Sequence, residues 1–217
     1  LTAAALSRCR LYGILDLGYV DIRDCGKMAE AMIAGGVDLI QLRAKELGSA
    51  QIAEIAADLH CLMAGRGVPL IINDHPEVAR VISAEGLHLG QDDMPLAEAR
   101  EVAGADCMVG KSTHSVDQAI RAFYEGADYI GFGPIFATPT KPDYPPVGLE
   151  EIQKVHDAVR IPIFCIGGIK LDNLPDVLAT GARRVVIVSG LLQAHDAAEY
   201  ARSAKKTLSA HPLICDL

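Results

Sequence analysis

Short β-branched or leucine-rich runs alternate with longer stretches whose apolar residues recur at helical spacing, eight times along the chain. The runs are Leu11 to Leu15, Asp38 to Leu42, Pro69 to Asn73, Gly86 to Leu89, Cys107 to Lys111, Asp128 to Phe132, Ile161 to Ile166 and Arg184 to Val188. Between them lie amphipathic segments such as Ser49 to Ala64, where Ile52, Ile55, Ala56, Leu59 and Met63 share one helical face. Strict alternation of strand and helix calls for a parallel sheet with right-handed crossovers, and eight such units close into a barrel. An open doubly wound sheet would carry a GxGxxG turn after its first strand, whereas this chain has LDLGYVD there. The expected fold is therefore a single α/β domain over residues 1–217, a (β/α)8 TIM barrel with its site on the C-terminal face.

Composition narrows the function. At 217 residues the chain supports one full core, and its formal charge of −8 with a pI near 5.3 provides no global field for nucleic acid or an anionic membrane. An anionic substrate must then be captured by local cations or a metal. The six cysteines are scattered without a CxxC pair, which suggests reduced thiols in a cytoplasmic protein. The opening LTAAALSRCR is too short an apolar run for a signal peptide, and no stretch approaches membrane-spanning length.

The candidate chemistry lies at strand ends. In DLIQLRAKE, Gln41, Arg43 and Lys45 alternate with Ile40, Leu42 and Ala44, so packing Ile40 and Leu42 against helices turns Gln41 and Arg43 toward the barrel mouth. PLIIND ends in Asn73 and Asp74, and GLHLGQDD in Asp92 and Asp93; adjacent strands bring these ends together, so Asp74 and one of the latter pair suit a shared Mg²⁺. Asp92 is read as a helix cap, leaving Asp74 and Asp93 as the metal pair. His75 and His88 are read as structural, and Asp16, at the end of the first strand, is assigned no role.

In MVGKSTHS, Ser112 and His114 reach the mouth and Ser115 caps the next helix; a serine nucleophile would need an orienting group and an oxyanion hole that the sequence does not show. The stretch DYIGFGPIFATPTK carries Thr138, Thr140 and Lys141, whose donors suit phosphate oxygens, in a segment stiffened by five prolines between Pro134 and Pro146. Gly148 is expected to open the sixth helix. Gly167 and Gly168 in CIGGI and the VIVSG run from Val186 to Gly190 offer backbone amides for a monophosphate. The mouth thus holds two anion sites, one cationic and metal-assisted, the other amide-rich.

The ordered motifs QLRAK, NDHPEVA, GLHLGQDD, GKSTHS, GPIFATPTK and CIGGI resemble the thiamine-phosphate synthase family, over about Leu11 to Leu192. The resemblance implies an Mg²⁺-dependent transferase that joins a hydroxymethylpyrimidine diphosphate to a thiazole phosphate, giving thiamine phosphate and pyrophosphate by dissociative loss of the diphosphate. It implies that Gln41, Arg43, Lys45 and Asn73 hold the pyrimidine diphosphate and that Asp74 and Asp93 bind the metal. It further implies that Ser112 and Lys141 contact the departing pyrophosphate, and that Arg43, Lys45, Ser112 and Lys141 form the catalytic set. Thr138 and Thr140 would face the thiazole phosphate, whose phosphate would meet Gly168, Val188 and Ser189. The first strand reads YGILD where the family pattern has threonine before the aspartate. The implied partners are small molecules, with no nucleic acid or membrane, and a homo-oligomer is possible.

Two rival readings are a thiazole tautomerase-like barrel, for which His114 speaks and the Asp74 and Asp93 pair does not, and a non-catalytic barrel that binds thiamine phosphate. For the synthase reading, Lys141→Ala is expected to lower kcat more than substrate affinity, because the ammonium meets charge that develops on the leaving group. Steady-state kinetics with unchanged kcat would remove Lys141 from that role.

Overall fold

The computed structural model describes residues 2–138 and 145–211. Its strands are β1 (Leu11–Asp16), β2 (Leu39–Arg43), β3 (Leu70–Asn73), β4 (Gly86–Leu89), β5 (Met108–Thr113), β6 (Tyr129–Phe132), β7 (Ile163–Cys165) and β8 (Val185–Ile187). They form a closed parallel barrel in chain order, β8 pairing with β1. The helices are α1 (Ala3–Leu6), α2 (Cys25–Ala34), α3 (Ser49–Ala64), α4 (Pro76–Ile82), α5 (Leu96–Ala103), α6 (Val116–Tyr124), α7 (Glu151–Ala158), α8 (Leu174–Ala179), α9 (Ser189–Leu192) and α10 (Ala197–Ser209). None among the described residues is long and apolar enough to cross a membrane.

The two-residue period of each strand divides its side chains between two cores. Ile40, Leu42, Ile72, Leu87 and Val109 face the helices, while Tyr12, Leu39, Ile71, Tyr129 and Phe164 fill the barrel interior. Inside, the Tyr12, Tyr129 and Phe164 rings meet edge to face with centroids 5.3 to 6.2 Å apart. They fit because small residues stand opposite them: a Cβ on Gly110 would lie 2.1 Å from Tyr129 Cζ.

At the N-terminal face, a carboxylate just before each of β2, β4 and β6 accepts an N–H of the preceding strand. Asp38 accepts from Leu11 at 2.9 Å, Glu85 from Leu70 at 2.9 Å and Asp128 from Val109 at 2.7 Å. Lys205 of α10 also pairs with Asp38, and Arg100 with Asp128 at 2.8 Å. Strand beginnings leave N–H donors without ladder partners, and these acids satisfy them.

Some expected boundaries move. Ser49–Ala64 and Tyr129–Phe132 stand as expected, and Ser115 caps α6 by accepting from Gln118 N at 3.2 Å. Strand β7 is only Ile163–Cys165. Gly148 does not open the sixth helix of the alternation: it turns the chain at φ 84°, and α7 begins at Glu151. Asp92 caps nothing; α5 starts behind Pro95, whose φ of −56° is already suited to a turn into a helix, and Asp92 is exposed. The five cysteines among the described residues are free thiols, and burial pushes those of Cys9, Cys25 and Cys107 up to about 11.

Gly110→Ala is expected to destabilise the barrel by about 1 to 3 kcal/mol, because the added methyl and the Tyr129 ring cannot occupy the same space. Urea unfolding that shows no loss would contradict this account of the interior.

Candidate active site

The C-terminal ends of β1 to β8 surround a cavity with about 810 Å³ of space between its atoms, open solvent at the mouth included. Arg43, Asn73, Ser112, Thr138, Gly168 and Ser189 all line it. The chain therefore gathers into one place groups drawn from six of its eight strand ends.

On the β2 side, Gln41 is 2% exposed and its Nε2 donates to Tyr12 Oη at 2.6 Å. Arg43 Nη1 donates to Asp16 Oδ2 at 2.6 Å. Lys45 follows the strand and donates from Nζ to Asp74 Oδ2 at 2.5 Å. Asn73 lines the cavity, and its amide has no protein partner among the described residues.

Asp74 and Asp93 approach closely enough to share a proton. Adjacency of β3 and β4 sets up the meeting, and local backbone completes it. Asp74 adopts a φ of 67°, in the left-handed region that side chains other than glycine seldom enter, while its N–H donates to the His88 carbonyl at 2.9 Å. Asp93 is pinned by the Gly90 amide, 2.5 Å from Oδ2. Burial, and then the neighbouring Asp93 carboxyl, raise the Asp74 pKa despite Lys45. Burial also pushes Asp93 up, but the shared hydrogen bond, the Gly90 amide and the Lys45 and Lys111 charges outweigh it and hold that carboxyl low. The pair thus takes up one proton more readily than the other.

Across the cavity, Ser112 Oγ lies 2.9 Å from His88 Nε2, and His88 Nδ1 lies 3.2 Å from Tyr129 Oη, itself 3.3 Å from Tyr12 Oη. A hydrogen-bonded chain therefore crosses the barrel from Gln41 to Ser112. Burial raises both phenol pKa values above the ordinary tyrosine range, so both rings stay neutral. His88 serves this chain, as a structural histidine that also lines the cavity. His114 Nδ1 lies 2.5 Å from the Gly133 carbonyl and orders the turn after β6.

On the far side, Gly167 and Gly168 take φ values of 99° and 67°. A Cβ on Gly168 would lie 2.7 Å from that of Phe136, so the turn admits only glycine. Val188 precedes the short helix α9, and Ser189 is its first residue, with an N–H that has no acceptor inside the helix. Thr138 lines the same side, whereas Thr140 and Lys141 lie outside the described residues.

Of the expected site residues, Gln41, Arg43, Asn73, Ser112, Thr138, Gly168, Val188 and Ser189 line the cavity, whereas Lys45, Asp74 and Asp93 meet one another just beyond Asn73 and do not line it, Asp93 facing a neighbouring hollow with Gln91 and Lys111. The sequence reading gave no role to Asp16, which is 3% exposed and bound to Arg43, nor to the buried tyrosines beneath the cavity. For Asp16 the available signal was its position: it ends β1 in register with Arg43 on β2.

Comparison with known proteins agrees with this geometry. Residues 11–191 match the family model for thiamine monophosphate synthase. The chain is 45% identical over 188 residues to a thiamine-phosphate synthase of Halalkalibacterium halodurans, covering 86% of this chain and 89% of that one. It is 42% identical over 201 residues to a thiamine-phosphate synthase of Chloroflexus aurantiacus, covering 92% and 93%. A solved thiamine phosphate pyrophosphorylase from Pyrococcus furiosus superposes with a TM-score of 0.86 at 30% identity, covering 94% of this chain and 98% of that one. By sequence over nearly its whole length and by fold, the chain belongs to the thiamine monophosphate synthase family.

Proposed function

We propose that this cavity joins 4-amino-2-methyl-5-hydroxymethylpyrimidine diphosphate to a thiazole phosphate, releasing pyrophosphate and forming thiamine phosphate with the help of Mg²⁺. The observation that carries this reading is the meeting of Asp74, Asp93 and Lys45 at the end of β3, directly after Asn73, which lines the cavity together with Arg43.

The donor set suits a hard divalent ion. Among the described residues no three His, Cys, Asp or Glu side chains cluster at metal spacing, so Asp74 and Asp93 would be the protein ligands and the remaining positions would fall to water and phosphate oxygens, as magnesium prefers. Charge points the same way. Among the described residues Arg43, Lys45 and Lys111 stand against Asp16, Asp74 and Asp93, so these groups leave no excess of positive charge. A diphosphate does not enter such a mouth without further positive charge. When bound, the metal supplies that charge and stabilises the leaving pyrophosphate.

The chain's own residues do the rest. Arg43 and Lys45 donate to diphosphate oxygens, joined by Asn73, Ser112 and Lys141. Gln41 uses its N–H on Tyr12, so its carbonyl remains to accept from the amino group of the pyrimidine. Gly168, Val188 and Ser189 receive the thiazole phosphate through backbone N–H and hydroxyl groups, with Thr138 and Thr140 beside it. This fixes the thiazole nitrogen near the reacting carbon, where the pyrimidine ring spreads the positive charge left by the departing pyrophosphate. Deprotonating a nucleophile is unnecessary, which suits a site where both His88 nitrogens and His114 Nδ1 are engaged in ordering the cavity.

Pyrophosphate release that requires both substrates and Mg²⁺ is the expected result of a direct assay, and release from the pyrimidine diphosphate alone at the same rate would refute the coupling. Asp74→Asn and Asp93→Asn should each lower kcat/KM on the order of 10²- to 10³-fold, roughly 3 to 4 kcal/mol of transition-state stabilisation.

Protons and metal compete for the same carboxylates, so the raised Asp74 pKa sets the direction of a pH effect. As pH falls through a range above that of an ordinary aspartate, Mn²⁺ binding to the metal-free protein should weaken. Calorimetric titration that finds affinity constant down to pH 4 would contradict this.

A further inference from the structure

Asp16 is a buried carboxylate inside a site that must accept an anion, and an unneeded negative charge there would work against binding. It is held rigidly. Its Oδ1 accepts from Gly18 N at 2.9 Å, and its main-chain oxygen accepts from Tyr19 N at 2.9 Å and Val20 N at 3.2 Å. A side chain at position 18 would crowd that carboxylate, since a Cβ there would lie 3.3 Å from Oδ1. The remaining oxygen, Oδ2, takes Arg43 Nη1 at 2.6 Å.

Clamping β1 to β2 does not explain this arrangement. The two strands are already in register from Tyr12 opposite Leu39 to Asp16 opposite Arg43, and Leu17 N donates to the Arg43 carbonyl at 2.9 Å beyond the last pair. What the carboxylate fixes is the guanidinium. Arginine carries five N–H donors in a planar fork, and apart from the bond to Asp16 those of Arg43 have no protein acceptor among the described residues. Both side chains line the cavity, and that of Arg43 is 20% exposed.

We propose that Asp16 is a positioning residue for the diphosphate half of the reaction: it holds one edge of the Arg43 guanidinium so that the other edge faces the diphosphate oxygens. This rests on the placement of the diphosphate proposed above. The rigid turn at Gly18 fixes the carboxylate, the carboxylate fixes the arginine, and a long side chain that would otherwise sample many rotamers meets its ligand already oriented. The cost in net charge is the consequence, and it increases the dependence of the mouth on added positive charge.

Asp16→Asn tests the idea. The amide keeps the shape but turns an N–H₂ toward either Gly18 N or the guanidinium, so the clamp is lost without opening a cavity. KM for the pyrimidine diphosphate should rise about tenfold, the loss of one charge-assisted hydrogen bond's orientation, while KM for the thiazole phosphate stays within twofold. Arg43→Gln should raise the diphosphate KM at least as much, and the double variant should be no worse than Arg43→Gln alone, because Asp16 acts only through Arg43. Equal rises in both KM values, or single effects that multiply in the double variant, would overturn the proposal. An Arg43→Gln enzyme with unchanged diphosphate KM would instead overturn the placement of the diphosphate. Circular dichroism melts establish folding of each variant; should Asp16→Asn not fold, Asp16→Glu, which keeps the charge but displaces it by one methylene, is held to the same split between the two KM values.

Discussion

Two aspartates held near enough to share a proton repel each other unless a cation or a proton intervenes. The barrel imposes that proximity at Asp74 and Asp93. Adjacent parallel strands deliver both side chains to one rim, a left-handed backbone at Asp74 aims the first, and the Gly90 amide fixes the second. Lys45 answers part of the repulsion, and the rest is what makes the rim receptive to a hard cation. Left-handed geometry at a residue other than glycine costs roughly 1 to 2 kcal/mol, and its location at this point is consistent with strain tolerated for the sake of a site.

The same residue types serve opposite purposes at the two ends of the barrel. At strand beginnings, N–H groups point outward, and Asp38, Glu85 and Asp128 are consumed in accepting from them. At strand ends the exposed backbone groups are carbonyls, which offer a carboxylate nothing. Asp16 and Asp93 take one loop N–H each, from Gly18 and Gly90, and their remaining oxygens, with those of Asp74, turn to side-chain cations, each other or a ligand. The direction of a parallel strand thus separates stabilising acids from reactive ones, the division expected between the two faces of such a barrel.

Much of this was legible in the residues alone. A period of two in DLIQLRAKE placed Gln41 and Arg43 inward, and the order of strands placed Asp74 beside Asp93. What could not be read was partner choice. Nothing in YGILD distinguishes a terminal aspartate that lines a mouth from one that seizes an arginine 27 residues later, because that depends on two rotamers meeting in space. Tyr12, Tyr129 and His88 looked like core, and they are, but their polar ends meet each other inside the barrel, a consequence of stagger rather than of local pattern. Asp92 read as a cap because helix-start signals are local, whereas Pro95 moved the start. Thr140 and Lys141 lie outside the described residues, and their roles rest on the sequence.

The polar thread beneath the cavity has a direction. With Gln41 giving an N–H to Tyr12, that hydroxyl points its hydrogen at Tyr129, whose own hydrogen goes to His88 Nδ1; reversing the link between the phenols leaves the Tyr12 hydrogen without an acceptor in this chain of groups, and reversing the link to His88 leaves that of Tyr129 without one. His88 then carries its hydrogen on Nε2 and gives it to Ser112 Oγ, which turns the serine's hydrogen outward into the open space. An amide on the second strand thereby orients, through two neutral phenols and an imidazole, the donor that the fifth strand presents to whatever anion settles there.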